Sequence, residues 1–250
     1  MECTATERGR EVDKEFIQER YADTVGEEQT SNLVDRCRVI ASMVGTSPGA
    51  LLDIGCWDGS VARSYAAVFL KNPEARIDGV DIVRHPGALS FYREVFEADI
   101  SHTVLPIPAQ QYDFVVLSEV IEHVFDTDFV LSEIHRVLKS NGVLVISTPN
   151  LASLINRFFL LFGLQPLYTE VSSRKTTYGN PWRRDGKPAG HIRDITFRAL
   201  VDLVRFNGFT VDRAESVPAV AKQPFALFER IAGKIRPGLG GNSILQCRKQ

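Results

Sequence analysis

The sequence predicts a doubly wound α/β domain with a seven-stranded, mostly parallel sheet, and three observations carry that reading. Short runs at residues 50–54, 112–118 and 142–147 are apolar at nearly every position, as expected of strands buried on both faces rather than one. Segments with helical spacing separate them, which is the alternation that builds parallel sheets through crossover helices. The first apolar run ends in the glycine turn Asp53-Ile54-Gly55-Cys56-Trp57-Asp58-Gly59, at the point where open α/β sheets contact their ligands.

Taken in order, residues 1–30 form a polar, acid-rich arm with a candidate helix from Asp13 to Arg20, and the domain proper spans 31–250. Ser31 is a candidate N-cap for a helix carrying Leu33, Val34, Cys37, Ile40, Ala41 and Val44 at helical spacing, which ends near Gly45 and Pro48. A strand at 50–54, a helix at 60–70, a strand at 76–81 and a weaker strand at 95–98 follow. After the strand at 112–118 come a helix at 126–138 and the strand at 142–147. The pattern then changes: 151–164 is an apolar helical stretch, and 165–190 is rich in Gly, Pro, Arg and Lys, as in a loop over a site. An amphipathic helix at 196–206, a strand at 209–214, a helical segment at 224–235 and a last strand at 243–248 complete the chain, with insertions at 151–190 and 216–242.

Composition limits the function classes. With 29 Lys and Arg against 31 Asp and Glu, the net charge of −2 provides no global positive field, so nucleic acid is disfavoured as a partner. Cys3, Cys37, Cys56 and Cys247 are scattered without a C-x-x-C pair, which argues against structural zinc and suits a reducing, cytoplasmic setting. No apolar run approaches the ~20 residues of a membrane span, although peripheral contact with a membrane stays open.

Within the turn, Gly55 lets the main chain approach a ligand, and Gly59 permits a tight entry into the following helix. Asp53 can accept a hydrogen bond from an ammonium group. Cys56 reads as a small packing residue. Asp81 closes the second strand, where a carboxylate can take both hydroxyls of a ribose, with Ile82 beside it. Asp99 follows the third strand, placed to meet an adenine amino group, with Ile100 against the ring. Together they outline a nucleoside with an amino-acid tail. The ordered strings LLDIGCWDGS, VDI, ADI, YDFVVLSEVIEHV and GVLVISTPN, then GHIRDITFRALVDLVRFNGFTV, resemble the successive motifs of class I S-adenosylmethionine-dependent methyltransferases, whose fold is Rossmann-like. The resemblance implies S-adenosylmethionine as cofactor, held by Asp53, Gly55, Cys56, Trp57, Gly59, Asp81, Ile82, Asp99, Ile100, Ser118 and Glu119. Trp57 stands where the family usually carries glycine, and either walls the pocket or distorts the turn.

Ser118-Glu119-Val120-Ile121-Glu122-His123 follows the fourth strand, and two carboxylates with a histidine are costly to hold at a strand exit without a partner. The spacing resembles that of ubiquinone-type O-methyltransferases and small-RNA 2′-O-methyltransferases. There it implies a divalent metal, Mg²⁺ or a similar ion, on Glu119, Glu122 and His123, with His191 as a fourth ligand. Without metal, His123 is a candidate general base; alternatively Glu119 lines the adenosine pocket, Glu122 complements a helix N-terminus and His123 bonds locally.

The acceptor is read from the insertions. Leu154, Ile155, Phe158, Phe159, Leu160, Leu161 and Phe162 either line a hydrophobic pocket, lie at an interface or form a core helix. Arg174, Lys175, Arg183, Arg184 and Lys187, interleaved with Tyr168, Tyr178 and Trp182, form a basic aromatic loop suited to a phosphate-bearing acceptor or to a solvated lid. The sequence therefore reads as a methyltransferase acting on a hydroxyl of a small molecule, glycan or lipid-linked acceptor. Its competitors are an RNA 2′-O-methyltransferase and a non-catalytic module of the same fold docking a protein or nucleic acid.

Overall fold

The computed structural model describes residues 31–181, 188–219 and 225–250. The polar arm with its helix at 13–20, Cys3, and Trp182, Arg183, Arg184 and Lys187 of the basic loop lie outside the described residues.

The strands are β1 (Ala50–Ile54), β2 (Arg76–Asp81), β3 (Val95–Glu97), β4 (Tyr112–Ser118), β5 (Leu138–Pro149), β6 (Phe209–Val217) and β7 (Asn242–Lys249). They form one sheet in the order β3-β2-β1-β4-β5-β7-β6. The pairings among β1 to β5 are parallel, while β7 runs antiparallel between β5 and β6. The helices are α1 (Ser31–Val44), α2 (Ser60–Ala66), α3 (Pro86–Leu89), α4 (Thr127–Val137), α5 (Leu154–Leu161), α6 (Phe197–Phe206) and α7 (Phe225–Ile235). The doubly wound, seven-stranded architecture expected from the sequence is thus the one observed.

Strand alternation explains why both faces are apolar. Leu51, Val116, Val145 and Ile244 point to one side, where Cys37, Ile40 and Met43 of α1 and Tyr65 of α2 cover them. Leu52, Ile54, Leu117, Ile146 and Leu245 point to the other, against Leu131 and Ile134 of α4 and Leu200 and Val204 of α6. A charge on either face is therefore admitted only with partners. Asp78, fully buried, receives two guanidinium bonds from Arg93 (2.9 and 2.7 Å) and one from the Tyr112 hydroxyl (2.9 Å).

The expected elements differ from the observed ones mainly at their ends. The helix at 60–70 stops at Ala66, and a 3₁₀ turn, Phe69–Lys71, carries Phe69 inward onto Phe114, with ring centroids 5.7 Å apart. The apolar stretch at 151–164 is helical only over Leu154–Leu161: the Ser153 hydroxyl accepts from the Asn156 amide at 3.2 Å, and Gly163 ends it at φ +67°. Nor is α5 a fully buried core helix. Ile155 and Phe159 point inward, while Phe158, Leu160, Leu161 and Phe162 are exposed. β5 starts four residues earlier than expected, and β6 extends to Val217, because β7 offers ladder partners that far. Among the described residues no helix is long and apolar enough to cross a membrane.

Candidate functional site

Strand order reverses between β1 and β4, so their carboxyl ends open a crevice, and the turn from Asp53 to Gly59 lies at its edge. Gly55 (φ +80°) and Gly59 (φ +79°) take left-handed conformations, and a Cβ on Gly55 would meet Val120 at 2.4 Å. Trp57 adopts φ +40° despite its side chain. The turn keeps the twist of a glycine loop because the Trp57 amide donates to Asp81 Oδ2 (2.8 Å) and the Gly55 amide to the Val80 carbonyl (2.8 Å). The indole leans on the His85 imidazole with ring centroids 4.9 Å apart. This wall therefore stands at the carboxyl end of β2, next to Asp81.

Asp81 also accepts from the Val83 amide at 3.2 Å. Burial lifts its carboxyl above the usual range, offset by those backbone donors. Asp99 sits one ladder step away, since the Ala98 amide bonds the Asp81 carbonyl; its carboxylate accepts from Ser101, is partly exposed and lies 3.5 Å from the His102 ring. Ile100 packs on the core beneath it, Ile82 is half-buried, and Cys56 is buried against Gly79. Asp53 departs from expectation. Its carboxylate turns inward, where Tyr92 donates to Oδ2 at 2.5 Å, and burial pushes it up to about 6, countered in part by the Tyr65 and Tyr92 hydroxyls. It braces the turn from below instead of facing an ammonium group.

The cluster after β4 divides in two. Glu119, at φ +57°, accepts from the Ser147 hydroxyl (2.7 Å) and the Asn242 amide group (2.8 Å), and lies 3.3 Å from the Arg36 guanidinium. Ser118 bonds Ser147 at 3.0 Å in the same chain. Glu119, expected as a metal ligand, thus stands outside the cluster of Glu122, His123 and His191, and its carboxylate engages α1, β5 and β7.

Glu122, His123 and His191 do come together, each offering a ligand atom within 4.8 Å of the others. Glu122 and His123 lie on the 3₁₀ turn Ile121–His123, and the irregular segment 188–195 brings His191 back through hydrogen bonds from the Ile192 and Arg193 amides to the Glu122 carbonyl (3.0 and 3.1 Å). His123 Nδ1 lies 3.2 Å from the Gly190 carbonyl and His191 Nδ1 lies 2.8 Å from the Tyr168 carbonyl. A carbonyl only accepts, so both Nδ1 atoms carry hydrogen, and in the neutral rings the lone pairs reside on Nε2. Glu122 is buried, with Oε2 taking the Thr148 hydroxyl (3.0 Å), while Oε1, 4.0 Å from His191 Nε2, has no hydrogen-bond partner among the described residues. Burial, then the charge of Glu119, holds its carboxyl well above the usual range. Beside the cluster, Leu151, Leu167, Tyr168, Thr169 and Asp194 line a small cavity of about 10 Å³, room for one water or ion.

Sequence reading missed Arg36, Asn242 and Tyr92. None belongs to a local motif; each reaches the site by a contact across the fold, so no signal in its own neighbourhood marks it.

An open α/β sheet with a glycine turn after β1 and carboxylates after β2 and β3 defines a nucleoside-binding domain. The methyltransferase domain family matches residues 27–214, and this chain belongs to it, among the class I S-adenosylmethionine-dependent methyltransferases. A probable S-adenosylmethionine-dependent methyltransferase of Mycolicibacterium smegmatis is 28% identical over 166 residues, covering 65% of this chain and 52% of that protein. A ubiquinone biosynthesis O-methyltransferase of Rhodopseudomonas palustris is 32% identical over 151 residues, covering 56% and 53%. The chain thus spans about half the length of these curated relatives. In fold it is similar to the 1,6-didemethyltoxoflavin-N1-methyltransferase of Burkholderia thailandensis, solved with S-adenosylhomocysteine bound. That likeness has a TM-score of 0.61 and 16% identity over 100% of this chain and 92% of that one.

Proposed function

We propose that this chain transfers the methyl group of S-adenosylmethionine to an acceptor hydroxyl on a small molecule or a lipid- or glycan-linked compound. The observation that carries the hydroxyl assignment is the convergence of Glu122, His123 and His191 at the exit of β4, with the Nδ1 atom of each imidazole against a backbone carbonyl. The O-methyltransferase relative supports the same choice.

The residues fit the cofactor. The main chain at Gly55 is exposed and bare of Cβ, Asp81 and Asp99 present carboxylates along one edge, and Trp57 with His85 supplies an aromatic wall. Arg36, whose Nε is buried without a hydrogen-bond partner among the described residues, is suited to the carboxylate of the amino-acid tail. Ser118, Cys56, Ile82 and Ile100 complete the surround.

They fit a divalent cation as well, since a buried Glu122 oxygen without a hydrogen-bond partner among the described residues lies beside two imidazoles whose Nδ1 atoms face backbone carbonyls. One carboxylate and two imidazoles suit Mn²⁺, Fe²⁺ or Zn²⁺ better than Mg²⁺. Such an ion supplies Lewis acidity that lowers the pKa of an acceptor hydroxyl. Without a metal, His123 serves instead as the general base that takes the hydroxyl proton on Nε2, its Nδ1 hydrogen held by the Gly190 carbonyl. The remaining rate comes from holding the acceptor oxygen in line with the methyl group.

Isothermal titration with S-adenosylmethionine and S-adenosylhomocysteine, followed by a metabolite screen with labelled cofactor, tests the reading. Binding of both and label in an O-methylated product are expected, with activity lost in chelator and restored by Mn²⁺. Absence of binding at millimolar concentration defeats the enzyme reading, and label on nitrogen or carbon alone defeats the hydroxyl assignment.

A further inference from the structure

α5 and α7 pack on one another and both present apolar side chains outward. Phe158, Leu161 and Phe162 of α5 and its C-cap are 51%, 77% and 63% exposed, and Phe228, Ile231 and Ile235 of α7 are 63%, 51% and 79% exposed. Phe158 and Phe162 stack outside the fold, with centroids 4.8 Å apart. Single exposed apolar residues are ordinary, but two adjoining helices that each turn such a row to solvent mark a surface with an occupant.

The polar residues on these helices identify the occupant. Arg157, Arg230 and Lys234, with Arg236 just beyond α7, are all exposed, and the two helices carry a single carboxylate, Glu229, which is buried. Arg230 is neutralised by Asp35 (2.5 Å), whereas Arg157, Lys234 and Arg236 make no ion pair among the described residues. The bias is local, since the whole chain has a net charge of −2. A second copy fits poorly, because a two-fold contact would bring these cations against their own counterparts with no carboxylate to receive them. Aromatic and aliphatic side chains flanked by cations are the pattern of helices lying in the headgroup region of an anionic bilayer.

We infer that α5 and α7 form an interfacial face that docks the domain on an anionic lipid surface through Phe158, Leu161, Phe162, Phe228, Ile231 and Ile235, with Arg157, Lys234 and Arg236 against the headgroups. The face adjoins the small cavity beside the Glu122, His123 and His191 cluster, because Asn156 of α5 accepts from the Leu167 amide (2.7 Å) and the Tyr168 hydroxyl donates to the Ala219 carbonyl shortly before α7 (2.5 Å). The docking itself does not depend on which acceptor the site takes.

Cosedimentation with vesicles of phosphatidylcholine alone and of an equimolar mixture with phosphatidylglycerol tests the inference, with wild-type thermal unfolding required of every variant as the control for folding. The chain is expected to pellet with the anionic vesicles and to release as salt is raised. Phe158→Ser, Leu161→Ser and Phe228→Ser combined lower the partition coefficient by about ten-fold or more, and each of Arg157→Gln, Lys234→Gln and Arg236→Gln lowers it by about five-fold. Should the triple variant fail to fold, the three glutamine substitutions carry the test. Failure of the wild type to pellet with anionic vesicles overturns the inference, as does undiminished pelleting of folded variants. Self-association abolished by the serine substitutions, without vesicle binding, assigns the face to a second copy and overturns it equally.

Discussion

Replacing Glu122 by glutamine separates what the carboxylate costs the fold from what it does for the site. The residue is 1% exposed, and one carboxylate oxygen has no hydrogen-bond partner among the described residues. A buried polar atom left unpaired costs about 1–3 kcal/mol, and more if charged. Glutamine can keep the Thr148 bond through its carbonyl and turn its NH₂ toward His191 Nε2, which lies 4.0 Å from the present Oε1. In chelator at pH 8 the Glu122→Gln chain is therefore expected to gain about 1–2 kcal/mol, or about 3–6 °C in Tm for a chain of this size. With Mn²⁺ at a hundred times its Kd the order reverses, because wild type gains about 2.7 kcal/mol by mass action while the variant has lost a ligand. Thermal unfolding with and without metal reads both arms without knowledge of the acceptor. Equal stabilisation of both chains by metal would refute the ligand role, and a loss of stability in chelator would refute the claim that this carboxylate is held at a cost.

Two further perturbations probe the cofactor turn. At Trp57, φ +40° penalises any side chain, so Trp57→Gly should be more stable than Trp57→Ala by about 1 kcal/mol, net of the extra freedom glycine has when unfolded; equal melting of the two variants would mean that the turn relaxes. At Asp53, burial raises the carboxyl from 3.8 to about 6, with Tyr65, Tyr92 and Asp81 as its neighbours. The folded state then holds the proton more tightly than the unfolded chain, so this group favours folding below pH 4 and loses that contribution as pH rises through 6. Relative to Asp53→Asn, wild type should lose up to about 3 kcal/mol in all, of which about 2 kcal/mol falls between pH 4.5 and pH 7, read as the difference in stability from urea unfolding. A difference that stays flat with pH would place the titration elsewhere.

Much of the fold was legible because its determinants are local. Residues 50–54 and 112–118 are apolar throughout, and only a strand covered on both faces uses such a run, so the parallel sheet follows from period and composition. Gly55 and Gly59 and the carboxylates at Asp81 and Asp99 sit at strand ends whatever the packing, and the family membership confirms the order in which those segments occur. Element ends were less legible: where α2 gives way to the turn at Phe69 depends on Phe114, forty-five residues away in sequence and 5.7 Å away in space.

The sequence by itself determined the sheet, the glycine turn and the presence of two carboxylates and a histidine after β4, because backbone period and turn chemistry act over a few residues. Only the tertiary structure decided what each side chain does there. Glu119 and Glu122 are three residues apart in one motif, yet Glu119 engages Ser147, Asn242 and Arg36, while Glu122 meets His191 from a distant loop. Likewise Asp53 faces Tyr92, and the apolar residues of α5 divide between core and surface. Spacing places residues at a strand exit, but direction and partner come from contacts between segments far apart in the chain, where burial sets the cost of leaving a charge without one.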